Sequence, residues 1–209
     1  MMGRPEAVTY SGPTYIAIRS AKHDSSTATS HALDLENLFK LENFKSLVYN
    51  ENNEVKPVLI LSVDGGPDEN PRYQKVISHA ISSFLKYDLD GFFIFTNAPG
   101  RSAYNRVERR MAPLSKELSG VILEHNHYGS HLDSYKKTID YDLELRNFKY
   151  AGNVLADIWN DVIIDNHPVF AEFIEPSCSA PSTPDAPSPE WYSSHVRESQ
   201  YFLQVIAYL

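Results

Sequence analysis

The chain has 209 residues, a mass of 23.7 kDa, 19 Lys and Arg against 27 Asp and Glu, and one cysteine. This length fits one large domain or two small ones, and a single cysteine excludes a disulfide-stapled scaffold. No apolar run approaches the roughly 20 residues that cross a bilayer, and residues 1–10 lack the apolar core of a signal peptide. We therefore expect an intracellular protein without membrane contact. The net charge of −8 repels nucleic acid overall, so a nucleic-acid role requires a local basic face.

The first half of the chain predicts a strand, a helix and a second strand. Residues 14–19 alternate in the manner of a strand. Asp34 is placed to cap a helix that carries Leu35, Leu38 and Phe39. Residues 58–63 are almost continuously aliphatic, which predicts a central strand buried on both faces.

The middle of the chain continues the alternation of helices and strands. Pro71 opens a predicted helix whose apolar stripe comprises Val76, Ile77, Ala80, Ile81, Phe84 and Leu85. Residues 92–96 predict the next buried strand, and Ser102 can cap a helix that Pro113 kinks or divides. Residues 140–164 carry the apolar spacing of one long helix or two. This order of elements predicts an α/β domain over residues 1–175.

A composition change marks the end of that domain. Residues 176–189 hold five of the thirteen prolines and four serines, and a segment so poor in large apolar groups cannot offset the entropy of its own ordering. We interpret it as a linker. Residues 190–209 carry enough aromatic and aliphatic side chains for one docking segment, but not for a domain.

The sharpest chemical pattern is Asp64-Gly65-Gly66-Pro67-Asp68, which directly follows the aliphatic strand. In open α/β sheets, ligands bind outside the carboxyl ends of strands, and glycine lets the backbone turn there without a side-chain clash. The structural alternative is a Gly-Pro turn in which both aspartates bond to nearby backbone amides.

A second pattern is the basic segment 101–118, which has five basic and two acidic residues in an acidic chain. Glu108 borders the apolar stripe of its predicted helix and is surrounded by Arg101, Arg106, Arg109 and Arg110. A phosphate-binding edge on an acidic protein requires such an inversion of charge. The alternative is a solvated helix face with ion pairs between neighbouring turns.

Two weaker patterns involve histidines. Residues 123–131 contain three of the eight histidines, but their spacing matches no closed zinc site, so an ordinary polar loop is favoured over a metal site. Residues 25–27 near His31 offer a hydroxyl and a base, but no oxyanion signature accompanies them, and a capped turn is favoured.

Matches to two motifs of one family, in the same order along the chain, connect the two sharper patterns. Residues 64–68 match the second catalytic acid of a known family; Ser102, Tyr104-Asn105 and Val107-Glu108-Arg109 match the helix that bears its third acid. The chain resembles transposases and integrases with a ribonuclease H-like fold, in particular transposon-derived proteins of invertebrates. The similarity extends over about residues 10–176 and again over 195–202.

The resemblance implies a ribonuclease H-like sheet with flanking helices and a DNA strand-transfer or endonuclease activity. In this family, carboxylates hold two divalent ions, Mg²⁺ or Mn²⁺. By resemblance, Asp64 and Glu108 are catalytic metal ligands and the protein resides in the nucleus. The residues that would contact DNA are Arg101, Asn105, Arg106, Arg109 and Arg110.

One departure from the family concerns the first catalytic acid, which belongs to a strand upstream of the region that matches residues 10–19. No early aspartate lies in a predicted strand, so we expect a chain that is incomplete at its N-terminus and inactive. Two alternatives from other classes are a non-catalytic protein-interaction fragment with an acidic surface, and an unrelated metal-dependent phosphohydrolase that uses Asp64 and Asp68 together.

Overall fold

The computed structural model describes residues 11–98, 100, 106–176 and 184–207, with the backbone but not the side chains of 106–110. Its elements in chain order are β1 (Thr14–Ile18), α1 (Ala28–Lys40), α2 (Lys45–Val48), β2 (Val58–Val63), α3 (Gln74–Lys86), β3 (Gly91–Thr96), α4 (Arg106–Glu117), α5 (Tyr141–Asn160), β4 (Ile163–Ile164), β5 (His167–Phe173), α6 (Pro189–His195), β6 (Val196–Glu198) and β7 (Phe202–Ile206). The fold is mixed α/β, as the sequence predicted.

The chain divides into two compact units. Unit 1 takes its described residues from 26–109 and 179–209, and unit 2 from 11–25 and 110–178. The boundary within the basic segment falls inside α4. The division predicted from sequence, a domain over 1–175 followed by a linker over 176–189 and a segment over 190–209, stays a prediction.

Unit 1 contains a mixed four-stranded sheet in the order β2-β3-β7-β6. Strands β2 and β3 are parallel, with Val63 opposite Thr96, and β7 is antiparallel to both β3 and β6. The parallel pair is joined through α3, whose predicted apolar stripe, except for the 56% exposed Leu85, lies in the core together with Phe92, Leu203 and Val205. Because β2 and β3 are parallel, their carboxyl ends lie at the same edge of the sheet.

The position of β2 differs from the sequence prediction. Its bounds are those predicted, but among the described residues it pairs only with β3 and so forms an edge of the sheet. Val58 and Ile60 are 50% and 61% exposed. The prediction of a central strand buried on both faces was wrong, because a continuous aliphatic run records propensity and not the number of neighbouring strands.

The first residues of two helices in unit 1 also differ from those predicted from the sequence. Helix α1 begins after Thr27, whose hydroxyl accepts from the Ser30 amide while the Ser30 hydroxyl accepts from the Thr27 amide. Asp34 therefore lies inside the helix, and its prediction as the cap was wrong. The capping box, which precedes Asp34 in the chain, already satisfies the first backbone amides of the helix. Helix α3 begins at Gln74, three residues beyond Pro71.

Unit 2 has a three-stranded sheet in the order β1-β5-β4, with α5 packed on β5. Strand β1 is parallel to β5, and β4 forms a hairpin with it. The hairpin turns at Asp165 and Asn166, which both have positive φ, 51° and 64°, as a tight primed turn requires. The core joins Leu114, Ala156, Trp159, Ile164, Val169 and Ala171.

The remaining helices follow local sequence signals. Asp140 caps α5 by accepting from the Leu143 amide. Pro113 lies inside α4 without dividing it. None of the helices in the described part of the chain has both the length and the apolar character of a membrane span.

Candidate metal centre

The turn after β2 is shaped by its two glycines. Gly65 has a φ of +91°, and a Cβ there would lie 2.4 Å from Thr96 Oγ1, so position 65 accepts no side chain. A Cβ at Gly66 would lie 2.8 Å from Asp68 Oδ1 and 3.5 Å from Asp64 Oδ1. The two aspartates therefore border the same small space above Gly66.

Asp64 also closes the turn itself. Its Oδ1 accepts a hydrogen bond from the Gly66 amide at 2.9 Å, which confirms the structural alternative for this residue. The carboxylate remains in the exposed turn at the carboxyl end of β2. The same side chain thus shapes the turn and presents negative charge at the sheet edge.

Helix α1 brings a histidine to this turn. His31 Nε2 lies 3.0 Å from Asp68 Oδ2 and 3.7 Å from Glu69 Oε1. One donor atom from each of the three residues lies within 4.8 Å of the other two. We call His31, Asp68 and Glu69 the metal cluster. Its side chains are 37%, 22% and 24% exposed, so an ion could reach all three and keep water ligands.

The electrostatics differ between the two acids of the metal cluster. Burial would raise the pKa of Asp68, but the hydrogen bond to His31 and weaker bonds hold it below its ordinary value. The pKa of Glu69 is raised by burial and by repulsion from Asp64. A cation placed among these carboxylates would relieve such repulsion.

Ser26 and His31 do not form a nucleophile–base pair of the triad type. Ser26 Oγ lies 3.0 Å from His31 Nε2, the same nitrogen that faces Asp68. In a triad the hydroxyl and the carboxylate contact opposite ring nitrogens. The favoured interpretation as a capped turn is confirmed, because Thr27 caps α1.

The structure places the predicted site residues only in part. Asp64 borders the metal cluster as described above. Glu108 lies on α4, but its side chain and those of the arginines at 106, 109 and 110 are outside the described part of the chain, and Arg101 and Asn105 are outside it altogether. The pairing of Asp64 with Glu108, and the contacts of the basic segment with DNA, stay predictions.

Sequence reasoning missed two members of the metal cluster. His31 was noted only as a neighbour of residues 25–27, and it reaches Asp68 across 37 residues. Glu69 was not singled out. The local signal that could have marked it is an acid pair, Asp68-Glu69, directly after a Gly-Gly-Pro turn at a strand end.

The histidines of residues 123–131 have other partners. His127 pairs with Glu124 at 3.0 Å and stacks on Tyr150, and His131 is 2% exposed beside Asn147. Within the described residues, only the metal cluster has three donors in coordinating reach of one another.

No family model, curated protein or solved structure matches the chain. The function is therefore inferred from the metal cluster and from the residues around it.

Proposed function

We propose that unit 1 binds a divalent cation at the metal cluster and engages a phosphodiester there, the chemistry implied by the resemblance to ribonuclease H-like transposases and integrases. One observation carries the proposal: His31, Asp68 and Glu69 bring three donor atoms together at the carboxyl end of β2, beside Asp64. DNA is the partner implied by the resemblance, and Mg²⁺ or Mn²⁺ the implied cofactor.

The spacing of the donors fits such an ion. Donors about 2.1 Å from a metal lie about 3.0 Å apart at right angles and about 3.4 Å apart in a tetrahedron. The separations of His31 Nε2 from the two carboxylates are 3.0 and 3.7 Å, and all three donor atoms lie within 4.8 Å of one another, so adjustment of the side chains would bring them to one ion. Three protein donors at a partly exposed turn leave positions for water or substrate, as a catalytic site requires.

The residues have distinct roles in this proposal. Asp68, with its lowered pKa, stays ionised and binds the cation, while His31 is oriented by the start of α1. Asp64 adds negative charge beside them. A bound divalent ion supplies Lewis acidity toward a phosphoryl oxygen and lowers the pKa of a bound water.

The chain connectivity also supports the proposal. A parallel β2–α3–β3 unit with an acid after its first strand, followed by α4 with Glu108, is the order of elements that the resemblance implies. The ribonuclease H-like arrangement is part of the proposal. Because the family's first acid has no counterpart in the sequence, we expect cation binding with weak or no strand cleavage.

The test separates binding from cleavage. Mn²⁺ at a hundred times its dissociation constant should stabilise the native state by about 2.7 kcal/mol, measured by the fluorescence of Trp191 in a Trp159→Phe background. Asp68→Asn should remove this gain in stability. Asp88→Asn is the control and should keep it, because Asp88 precedes β3 and lies at the opposite end of the parallel pair. The φ of 50° at Asp88 is also one that asparagine adopts readily. An Mn²⁺ effect that survives Asp68→Asn would contradict the proposal.

Substrate assays then distinguish the two enzymatic classes. Cleavage of a DNA duplex that requires Mn²⁺ and is lost in Glu108→Gln favours the transposase-like chemistry. Hydrolysis of a small phosphoester that is lost in Asp68→Asn but kept in Glu108→Gln favours the phosphohydrolase alternative.

A non-catalytic interaction protein is the second candidate. It is favoured by exposed apolar side chains before α5 in unit 2, where Ile122, Tyr135 and Ile139 are 85%, 84% and 68% exposed. A contiguous patch of such side chains would mark a binding surface. Unchanged unfolding of unit 1 in Mn²⁺ would favour this candidate.

A further inference from the structure

The metal cluster contains an imidazole nitrogen, which lies 3.0 Å from Asp68 Oδ2 and 3.7 Å from Glu69 Oε1. We infer that the site selects a divalent ion that accepts imidazole, such as Mn²⁺ or Zn²⁺, over the oxygen-preferring Mg²⁺ and Ca²⁺. The inference rests on the cation site of the proposed function and adds the class of ion that the site takes.

The position of the ring makes it part of any ion site at this turn. An ion shared by Asp68 and Glu69 would lie among oxygens that are 3.0 and 3.7 Å from His31 Nε2. With metal–ligand distances of about 2.1 Å, that nitrogen falls within coordination reach without a change in the backbone. The imidazole is thus a ligand of the site and not a distant neighbour.

The orientation of the ring is set by its surroundings. His31 lies in the first turn and a half of α1, whose start is fixed by the reciprocal bonds between Thr27 and Ser30. Ser26 Oγ approaches the same Nε2 at 3.0 Å. Nε2 is therefore already directed toward the oxygens of the turn, which lowers the entropic cost of ion binding.

The chemistry of the donors decides between the ions. Mg²⁺ and Ca²⁺ take oxygen ligands, and Mg²⁺ gives up its water reluctantly, whereas Zn²⁺, and more weakly Mn²⁺, accept imidazole together with carboxylate. At this site Mg²⁺ can use only the carboxylates of Asp64, Asp68 and Glu69. We therefore expect Mg²⁺ to bind more weakly and without dependence on His31.

Calorimetric titration of the whole chain tests the inference. Mn²⁺, Zn²⁺, Mg²⁺ and Ca²⁺ are compared for the unaltered protein, His31→Gln, Asp68→Asn and His79→Gln. Glutamine can still hydrogen-bond Asp68 but offers no imidazole. His79 is the matched control, since its Nε2 bonds Thr29 on α1 and it is not a member of the metal cluster. Circular dichroism of each variant shows whether it is folded.

The expected result is tighter binding of Mn²⁺ and Zn²⁺ than of Mg²⁺. His31→Gln should lower the Mn²⁺ and Zn²⁺ affinities at least tenfold and leave the Mg²⁺ affinity unchanged. His79→Gln should leave the affinities for all of these ions unchanged. Asp68→Asn should weaken all four ions.

Three results would overturn the inference. If Mg²⁺ binds as tightly as Mn²⁺, or if folded His31→Gln keeps its Mn²⁺ affinity while Asp68→Asn loses it, the cation site stands but His31 does not select the ion. If no ion binds to the unaltered chain, the proposed function fails together with the inference.

Discussion

His23 and Glu144 face each other in the interior of unit 2. His23 Nε2 lies 3.0 Å from Glu144 Oε2, and the two side chains are 2% and 1% exposed. The other oxygen, Oε1, accepts from Lys22 Nζ at 2.5 Å and from Thr138 Oγ1 at 2.8 Å. A buried carboxylate is tolerated only with such complete pairing. The group therefore fastens the segment after β1 and the loop before α5 to the first turns of α5.

The first prediction concerns the charge of Glu144. Glutamine has the same shape as glutamate but no charge. Its amide NH₂ would face a hydrogen-bond donor at a position where a carboxylate oxygen of Glu144 accepts. We expect Glu144→Gln to lower the free energy of unfolding of unit 2 by about 2 to 4 kcal/mol. Urea unfolding followed by Trp159 fluorescence in a Trp191→Phe background measures this, because each unit contains one of the two tryptophans.

Glu124→Gln is the control for that experiment. Glu124 is in the same unit, pairs with a histidine as Glu144 does, and is 60% exposed. Its substitution should change the free energy of unfolding by less than about 0.5 kcal/mol. Equal losses from the two substitutions would show that burial of the carboxylate is not the cause.

The second prediction is a pH dependence. Burial would raise the pKa of Glu144, but the hydrogen bonds from Lys22, His23 and Thr138 outweigh it and hold the pKa at about 2 instead of its ordinary 4.5. A carboxyl whose pKa is lower in the folded state stabilises fully above its unfolded pKa, and this stabilisation is lost as the pH falls toward the folded value. Unit 2 should therefore lose stability between about pH 5 and pH 2.

The same urea measurement at several pH values checks this. The difference in free energy of unfolding between the unaltered protein and Glu144→Gln should be largest near neutral pH and should shrink as the solution is acidified. A difference that stays constant from pH 7 to pH 3 would contradict the assignment of the acid effect to Glu144.

Local signals predicted much of the fold. The strands β1, β2 and β3 and the existence of α5 were predicted because alternation, aliphatic runs and helical apolar spacing act within a few residues. What the sequence could not predict is pairing over distance. The C-terminal strand β7 pairs with β3, Phe95 opposite Phe202, and within the described residues no strand pairs with the other side of β2.

The same distinction holds for the metal cluster. Asp64 and Asp68 were recognised because their position after a strand is local information. His31 was not joined to them because its contact depends on α1 packing against α3, which spans a sequence separation that no short motif records. The hairpin of β4 and β5 was missed although Asp165-Asn166 are residue types that accept positive φ, because the apolar spacing was read as a continued helix.

The third prediction concerns the close packing of α5 on β5. Gly152 is buried, and a Cβ there would lie 2.2 Å from Cδ2 of Phe173. Alanine is a better helix former than glycine by about 1 kcal/mol, but the clash should dominate, and Gly152→Ala should destabilise unit 2 by about 1 to 2 kcal/mol. The neighbouring exposed substitution Asn153→Ala is the control and should stabilise it slightly. A gain from both would mean that Phe173 moves aside without cost.

The last prediction connects the start of α1 to the metal cluster. Thr27→Ala removes the hydroxyl that accepts from the Ser30 amide, and loss of such a cap costs about 1 kcal/mol. Fraying of the first turn would free His31, so the Mn²⁺ affinity should fall severalfold along with the stability of unit 1. Calorimetric titration and Trp191 fluorescence measure the two effects, and Thr27→Ser should restore both. If Thr27→Ala destabilises unit 1 but leaves the Mn²⁺ affinity unchanged, the capping box does not orient the histidine, and the ring must be held by Ser26 and Asp68 alone.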